Sequence, residues 1–198
     1  MDGFERRRER KKESIRKAAL ELFSAHGVQK VSIAEIAQKA KVSQVTIYNY
    51  FGSKDELLKQ VILFLLYQRL QQDTEVIESD RPFPEKIESY ITEKTSELSS
   101  MNPDFLLSMQ SDDPSIRSLV KDFAKNEYIP LLVRLIEKGR EEGYIHHEIS
   151  NEAILIYINM FRDLKNQEGV LDIQQHKDLL RELVTLFFYG IFSKKAEK

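Results

Sequence analysis

Apolar residues recur at helical spacing along most of this 198-residue chain. Ile15, Ala18, Ala19, Leu22 and Phe23 fall at i, i+3, i+4, i+7 and i+8, one face of a helix that Gly27 ends. Ser32 followed by Glu35 has the form of a capping box, S-x-x-E, opening a short helix with Ile33, Ile36, Ala37 and Ala40 inward. Lys41 to Ser43 makes a tight turn, and Ser43 caps a second short helix that runs to about Phe51. Gly52 stops that helix and Ser53 caps the next. Its period of Leu57, Leu58, Val61, Ile62, Leu65 and Leu66 continues to about Glu78, roughly 35 Å at about 1.5 Å per residue.

The pattern breaks at "SDRPFPEK", residues 79–86, where two prolines meet a charge cluster. Beyond it the spacing predicts helices near 84–100, 103–110, 114–142 with a bend or break at Pro130, 150–165 and 174–193. No strand pattern and no internal repeat interrupts them. The expected fold class is all-α, with about nine helices.

Composition agrees: hydrophobic residues make up 41%, charged residues 31%, and Gly and Pro only 7 and 5 positions. Cysteine is absent, which excludes a disulfide framework and thiolate metal ligands and suits a reducing compartment. The N-terminal stretch lacks the apolar core of a signal peptide. The most apolar run, Val61 to Tyr67, is far too short to span a bilayer. The expected location is the cytoplasm, away from membrane.

Charge changes the picture more. Residues 1–60 hold 13 Lys and Arg against 8 Asp and Glu; the remainder holds 17 against 24. A basic front end on an acidic body suits a polyanionic partner. The densest run, "RRRERKK" from Arg6 to Lys12, reads as a frayed arm leading into the first helix, either a solvated tail or one that lies along phosphates or reaches a minor groove.

Two short helices joined by a three-residue turn, with a longer helix before them, describe a helix-turn-helix. On a helical wheel of 44–51, Ile47 and Phe51 point together into a small core. Val45 and Asn49 point the other way, with Thr46 and Tyr48 on the flanks. Such a surface fits a major groove. Gln44 has the geometry to pair bidentately with adenine, and Val45 to pack on a thymine methyl. Thr46, Tyr48 and Tyr50 bring hydroxyls for phosphate or base edges. Lys54, in the first turn of the following helix, and Ser32, at the start of the first short helix, stand where helix N-termini attract phosphate.

The stretch "IRKAALELFSAHGVQKVSIAEIAQKAKVSQVTIYNYFGSKDELL" resembles the N-terminal DNA-binding domain of TetR-family bacterial transcriptional regulators. It carries A-x-x-L-F-x-x-x-G before the turn, I-A-x-x-A-x-V-S across it, and T-I-Y-x-Y-F-x-S-K-x-x-L at the end. The resemblance covers about 45 residues. It implies a helix-turn-helix DNA-binding domain over 1–53, with its basic arm in 1–13, and a helical-bundle ligand-binding and dimerisation domain over 54–198. It further implies base contacts from Ser43, Gln44, Val45 and Thr46, and backbone contacts from Tyr48, Tyr50 and Lys54. Val45 and Asn49 fix no particular base.

A homodimer bound to double-stranded operator DNA, released by a small-molecule effector, is the behaviour the resemblance implies. Candidates for the effector cavity are Phe64, Tyr67, Phe105, Met109, Phe123, Tyr128, Tyr157, Met160 and Phe161, with core packing the competing role for each. Arg162 and Asp163 lie close by to anchor a polar group. The last helix carries more apolar surface than one packed face needs, so Leu179, Leu183, Val184, Phe187 and Ile191, with Ile154 and Ile158, form the expected dimer seam.

No H-E-x-x-H, Gly-rich phosphate loop or nucleophile elbow occurs, so the expectation is a regulator and not an enzyme, with no cofactor. Adjacent His146 and His147, and the isolated His26 and His176, lack metal-ligand spacing. Two other readings remain at this level: an activator or effector-independent regulator, and a helical module whose helix-turn-helix contacts protein.

Overall fold

A computed structural model of the chain describes residues 3–89, 100–109 and 113–164, with side chains to residue 157. Among them the secondary structure is helical throughout: α1 (Gly3–His26), α2 (Ile33–Ala40), α3 (Gln44–Phe51), α4 (Lys54–Glu78), α5 (83–89), α6 (Pro103–Met109), α7 (Pro114–Phe123), α8 (Ile129–Glu141) and α9 (Asn151–Leu164). A π-helical turn, Ala124–Tyr128, leads into α8. The expected last helix, 174–193, lies outside the described residues.

By packing, the chain divides into two units, Met1–Gln71 with Ser100–Phe123, and Gln72–Ser99 with Ala124–Lys198. The first division falls inside α4. The boundary expected after residue 53 separates segments by role, and packing follows a different line.

The first unit has a continuous core. Ile15, Ala19 and Phe23 of α1, Ile36 of α2, Ile47 of α3, and Leu57, Val61 and Ile62 of α4 are at most 1% exposed. These are the periodic positions of four successive helices, so local pattern and tertiary burial agree. α6 joins the same core: Phe105 is fully buried, 6.1 Å from Phe23 between ring centroids. Asn102 ties it down, its backbone N–H donating to the Ser24 carbonyl at 2.7 Å while its side chain accepts from Asp104 N–H at 3.0 Å.

α1 corrects one expectation. The basic run is helical from Gly3, not frayed. Glu9 and Glu13 point down the helix to Arg16 (2.6 Å) and Lys17 (2.7 Å), and Arg8 lies over the Tyr50 ring, 5.9 Å from its centroid. The ion pairs serve Arg16 and Lys17, outside the basic run, and the Tyr50 ring gives Arg8 an aromatic partner.

In the second unit, Pro130 sits in the first turn of α8 immediately after the π-helical turn. A proline inside a helix removes a donor and crowds the carbonyl four residues back, and a widened turn relieves both. The backbone of Phe83 donates to Glu142 at 2.9 Å, and the Phe83 ring stacks on Tyr144 at 5.6 Å. α8 meets α9 through Arg140, whose guanidinium donates to the Ile149 carbonyl, to Asn151 and to Glu137. No helix among the described residues is long and apolar enough to cross a membrane.

Candidate nucleic-acid interface

Backbone bookkeeping around α2 and α3 sets this site. Ser32 accepts from Glu35 N–H at 3.2 Å, while its own backbone N–H and its hydroxyl both donate to the Glu35 carboxylate at 2.7 Å. The capping box is therefore complete. The Ser32 hydroxyl, and next its N–H, hold the Glu35 carboxyl below the usual range. A phosphate at Ser32 would compete with that carboxylate for the same donors.

The turn that follows is a Schellman motif. Lys41 N–H donates to Gln38 at 3.2 Å and Val42 N–H to Ala37 at 3.0 Å, with Lys41 left-handed at φ 56° and ψ 44°. Lys41 stands where glycine is usual. Among the described residues it is the only non-glycine with positive φ. Nothing in the pattern of apolar residues signals that.

Ser43 then opens α3. Its hydroxyl accepts from Thr46 N–H at 3.1 Å and lies 2.8 Å from the Thr46 hydroxyl. Gly52 closes α3 at φ 78°, its N–H donating to Tyr48 at 2.8 Å, and Ser53 caps α4 by accepting from Glu56 N–H at 3.1 Å. Two helices are thus joined by only Gly52 and Ser53, a link whose geometry a positive-φ glycine makes possible.

The inner face of α3 is Ile47 and Phe51, both buried, and the outer face is Ser43, Gln44, Val45, Tyr48 and Asn49, all exposed. Val45 is 67% exposed and Tyr48 49%, an apolar and aromatic surface left open by the described residues. Thr46 and Lys54 are half-buried. So is Tyr50, which packs against the core while Arg8 covers its ring. The structure gathers the expected contact residues on one short helix and its flanks. It separates Tyr48, whose ring is open, from Tyr50, whose ring is taken. Arg8 escaped sequence reasoning because a contact 42 residues away leaves no periodic trace.

Residues 15–61 match the family model described as bacterial regulatory proteins, tetR family. The HTH-type transcriptional regulator YdgC of Bacillus subtilis is 24% identical over 190 residues, covering 90% of this chain and 91% of its own. A second B. subtilis regulator, YvdT, is 38% identical over 73 residues, so that this chain spans 38% of its length. Over residues 15–61, therefore, this chain is similar to the DNA-binding region of the TetR family. Among solved structures, Escherichia coli NemR in its reduced form superimposes with a TM-score of 0.69 at 18% identity, covering 94% of this chain and all of that one. FadR of B. subtilis in complex with stearoyl-CoA does so at 0.60 and 20%, covering 90% and 98%. At these identities the likeness is one of fold.

Both relatives are HTH-type transcriptional regulators, and the matched segment runs from within α1 into α4 and so holds the two short helices and their turn. α3 lies within the matched segment, and the outer face just described is the surface turned from the core. Of the residues expected at an effector cavity, Phe105 is accounted for by its contact with Phe23. Tyr67 is 49% exposed and meets Phe123 edge-on at 5.1 Å. Phe64 lies under Arg16 at 5.6 Å, and Met109 packs against the core of the first unit. Tyr128 and Tyr157 are half-buried in the second unit. The side chains of Met160, Phe161, Arg162 and Asp163 lie outside the described residues.

So does most of the expected dimer seam: the Ile158 side chain, and Leu179, Leu183, Val184, Phe187 and Ile191. Ile154 is buried within its own chain at 3% exposure, whereas Ile156 on the same helix is 54% exposed. Sequence reasoning passed over Ile156. No group of His, Asp and Glu among the described residues could hold a metal ion.

Proposed function

We propose that this TetR-family regulator is a homodimeric repressor that binds a pseudo-palindromic operator through α3 of each subunit and is released by a small-molecule effector. The observation that carries the reading is the outer face of α3, where Gln44, Val45, Tyr48 and Asn49 are exposed beside a rigidly capped turn. In the bound state Gln44 reads an adenine, Val45 a thymine methyl, and Tyr48 and Lys54 hold the backbone. Two-fold symmetry places the half-sites about 34–36 Å apart or a multiple of that. Release requires an effector that binds the DNA-incompetent arrangement more tightly than the competent one; equal affinity shifts nothing. Acyl-CoA thioesters are the first effector class to try, because stearoyl-CoA is the ligand in the FadR structure that shares this fold.

The test is selection of bound fragments from the source genome by purified protein at about 150 mM salt, a concentration at which non-specific binding is weak. Fragments sharing one inverted repeat support the reading. Recovery of unselected DNA, or of none, overturns it.

A further inference from the structure

The geometry points to the N-terminal part of α1 as a second DNA contact, a helical rod that lies on the phosphates flanking the half-site and is held in place by Tyr50. Tyr50 is then a positioning residue whose ring, and not its hydroxyl, matters for binding. The inference rests on the recognition role of α3 proposed above.

Three observations carry it. First, Arg6, Arg7, Arg8, Arg10, Lys11 and Lys12 form no ion pair with any described residue, because the acidic groups among them are directed elsewhere: Glu9 to Arg16 and Glu13 to Lys17. Second, the six are helical, which places Arg6 against Arg10, Arg7 against Lys11 and Arg8 against Lys12 at i, i+4. Like charges at that spacing repel, and cations at a helix N-terminus oppose the macrodipole. The rod is thus electrostatically strained until an anion meets it. Third, Arg8 lies over the Tyr50 ring at 5.9 Å, and Tyr50 belongs to α3 and packs on the core. The rod continues the buried part of α1, and this contact ties its exposed end to the recognition helix as well.

Residues 3–12 extend about 15 Å, while each DNA strand presents a phosphate every 3.4 Å or so of axis. A duplex backbone is the partner whose charge spacing answers a rod of this length, and α3 already brings one close.

The experiment measures binding of an operator fragment, recovered by the selection above, as a function of salt. The fragment is used with about ten base pairs of flank on each side and again trimmed to the inverted repeat. The proteins are the full chain and the variants Arg6→Gln/Arg7→Gln/Lys11→Gln, Arg8→Gln, Tyr50→Phe and Tyr50→Leu. The natural chain should bind the trimmed fragment more weakly and with a shallower salt dependence, the slope falling by about 2 if two phosphates are lost. The triple variant should bind both fragments alike, with retained preference for the inverted repeat. Tyr50→Phe should behave as the natural chain, and Tyr50→Leu should resemble Arg8→Gln.

A natural chain indifferent to trimming, or a triple variant with an unchanged slope, overturns the inference and leaves the recognition reading standing. Tyr50→Phe as weak as Tyr50→Leu overturns the positioning role, since the hydroxyl would then be the contact. A natural chain that selects no operator overturns the recognition reading and this inference with it.

Discussion

At the scale of single residues, the turn between α2 and α3 concentrates the argument. Lys41 occupies a left-handed position at φ 56°, where a side chain costs about 1 kcal/mol relative to glycine. Lys41→Gly should therefore raise stability by up to about 1 kcal/mol in urea titrations, provided the unfolded chain's added freedom does not absorb the gain. A clear loss of stability would mean that the lysine side chain supports the turn. The Glu35 carboxyl is held below its ordinary range chiefly by the Ser32 hydroxyl. A carboxyl lowered by folding stabilises the folded state above its unfolded pKa, and that contribution fades as pH falls through the folded value. Glu35→Gln should thus lower the melting temperature at pH 7, and the gap from the natural chain should close below about pH 4. A gap that persists in acid would locate the effect in packing. Also at this scale, Gln44→Ala should relax preference at one or two base pairs, while Lys54→Ala should weaken binding to all sequences alike.

At the scale of elements, most of the helices could be read because their caps and apolar periods agree. Ser32, Ser43 and Ser53 each accept from an N–H three residues on, as the sequence suggests. Gly52 and the periodic leucines mark the rest. Two things were not legible. The helical start of α1 is supported by Glu9 reaching Arg16 and Arg8 reaching Tyr50, contacts too distant in sequence to be read from the run of like charges. The π-helical turn before Pro130 could be anticipated as a break but not as a widened turn, since a proline signals an interruption without giving its form. A close approach was equally hidden. A Cβ on Gly139 would fall 2.6–2.7 Å from the Phe83 ring and 2.8 Å from Ile145. Gly139→Ala gains about 1 kcal/mol of helix propensity, yet Phe83 is fully buried and stacked on Tyr144, and overpacking of this kind costs about 1–3 kcal/mol. The net change should be a loss, read by thermal unfolding; a gain would show that the Phe83 ring can move aside.

At the scale of the whole molecule, the outer face of α3 was legible because a short helix has only two sides and Ile47 and Phe51 claim one. An effector cavity cannot be read the same way, because a large aromatic on a central helix has the same sequence signature whether it fills a core, as Phe105 does beside Phe23, or lines a space. The proposed dimerisation belongs to this scale too. Leu183→Glu or Phe187→Glu should yield monomers in sedimentation and abolish operator binding, because one helix-turn-helix alone loses the second half-site. A variant that remains dimeric would move the interface to another face, with the exposed Ile156 the residue to substitute next.

The exposure of Val45 has a consequence for the chemistry of the genome itself. An isopropyl group makes no hydrogen bond, so in the groove it senses a methyl and not the base that bears it. Thymine and 5-methylcytosine carry that methyl on the same ring carbon. For a regulator reading through Val45, enzymatic methylation of a cytosine would act as a change of letter, and replacement of thymine by uracil as an erasure, although neither alters the pairing of the strands.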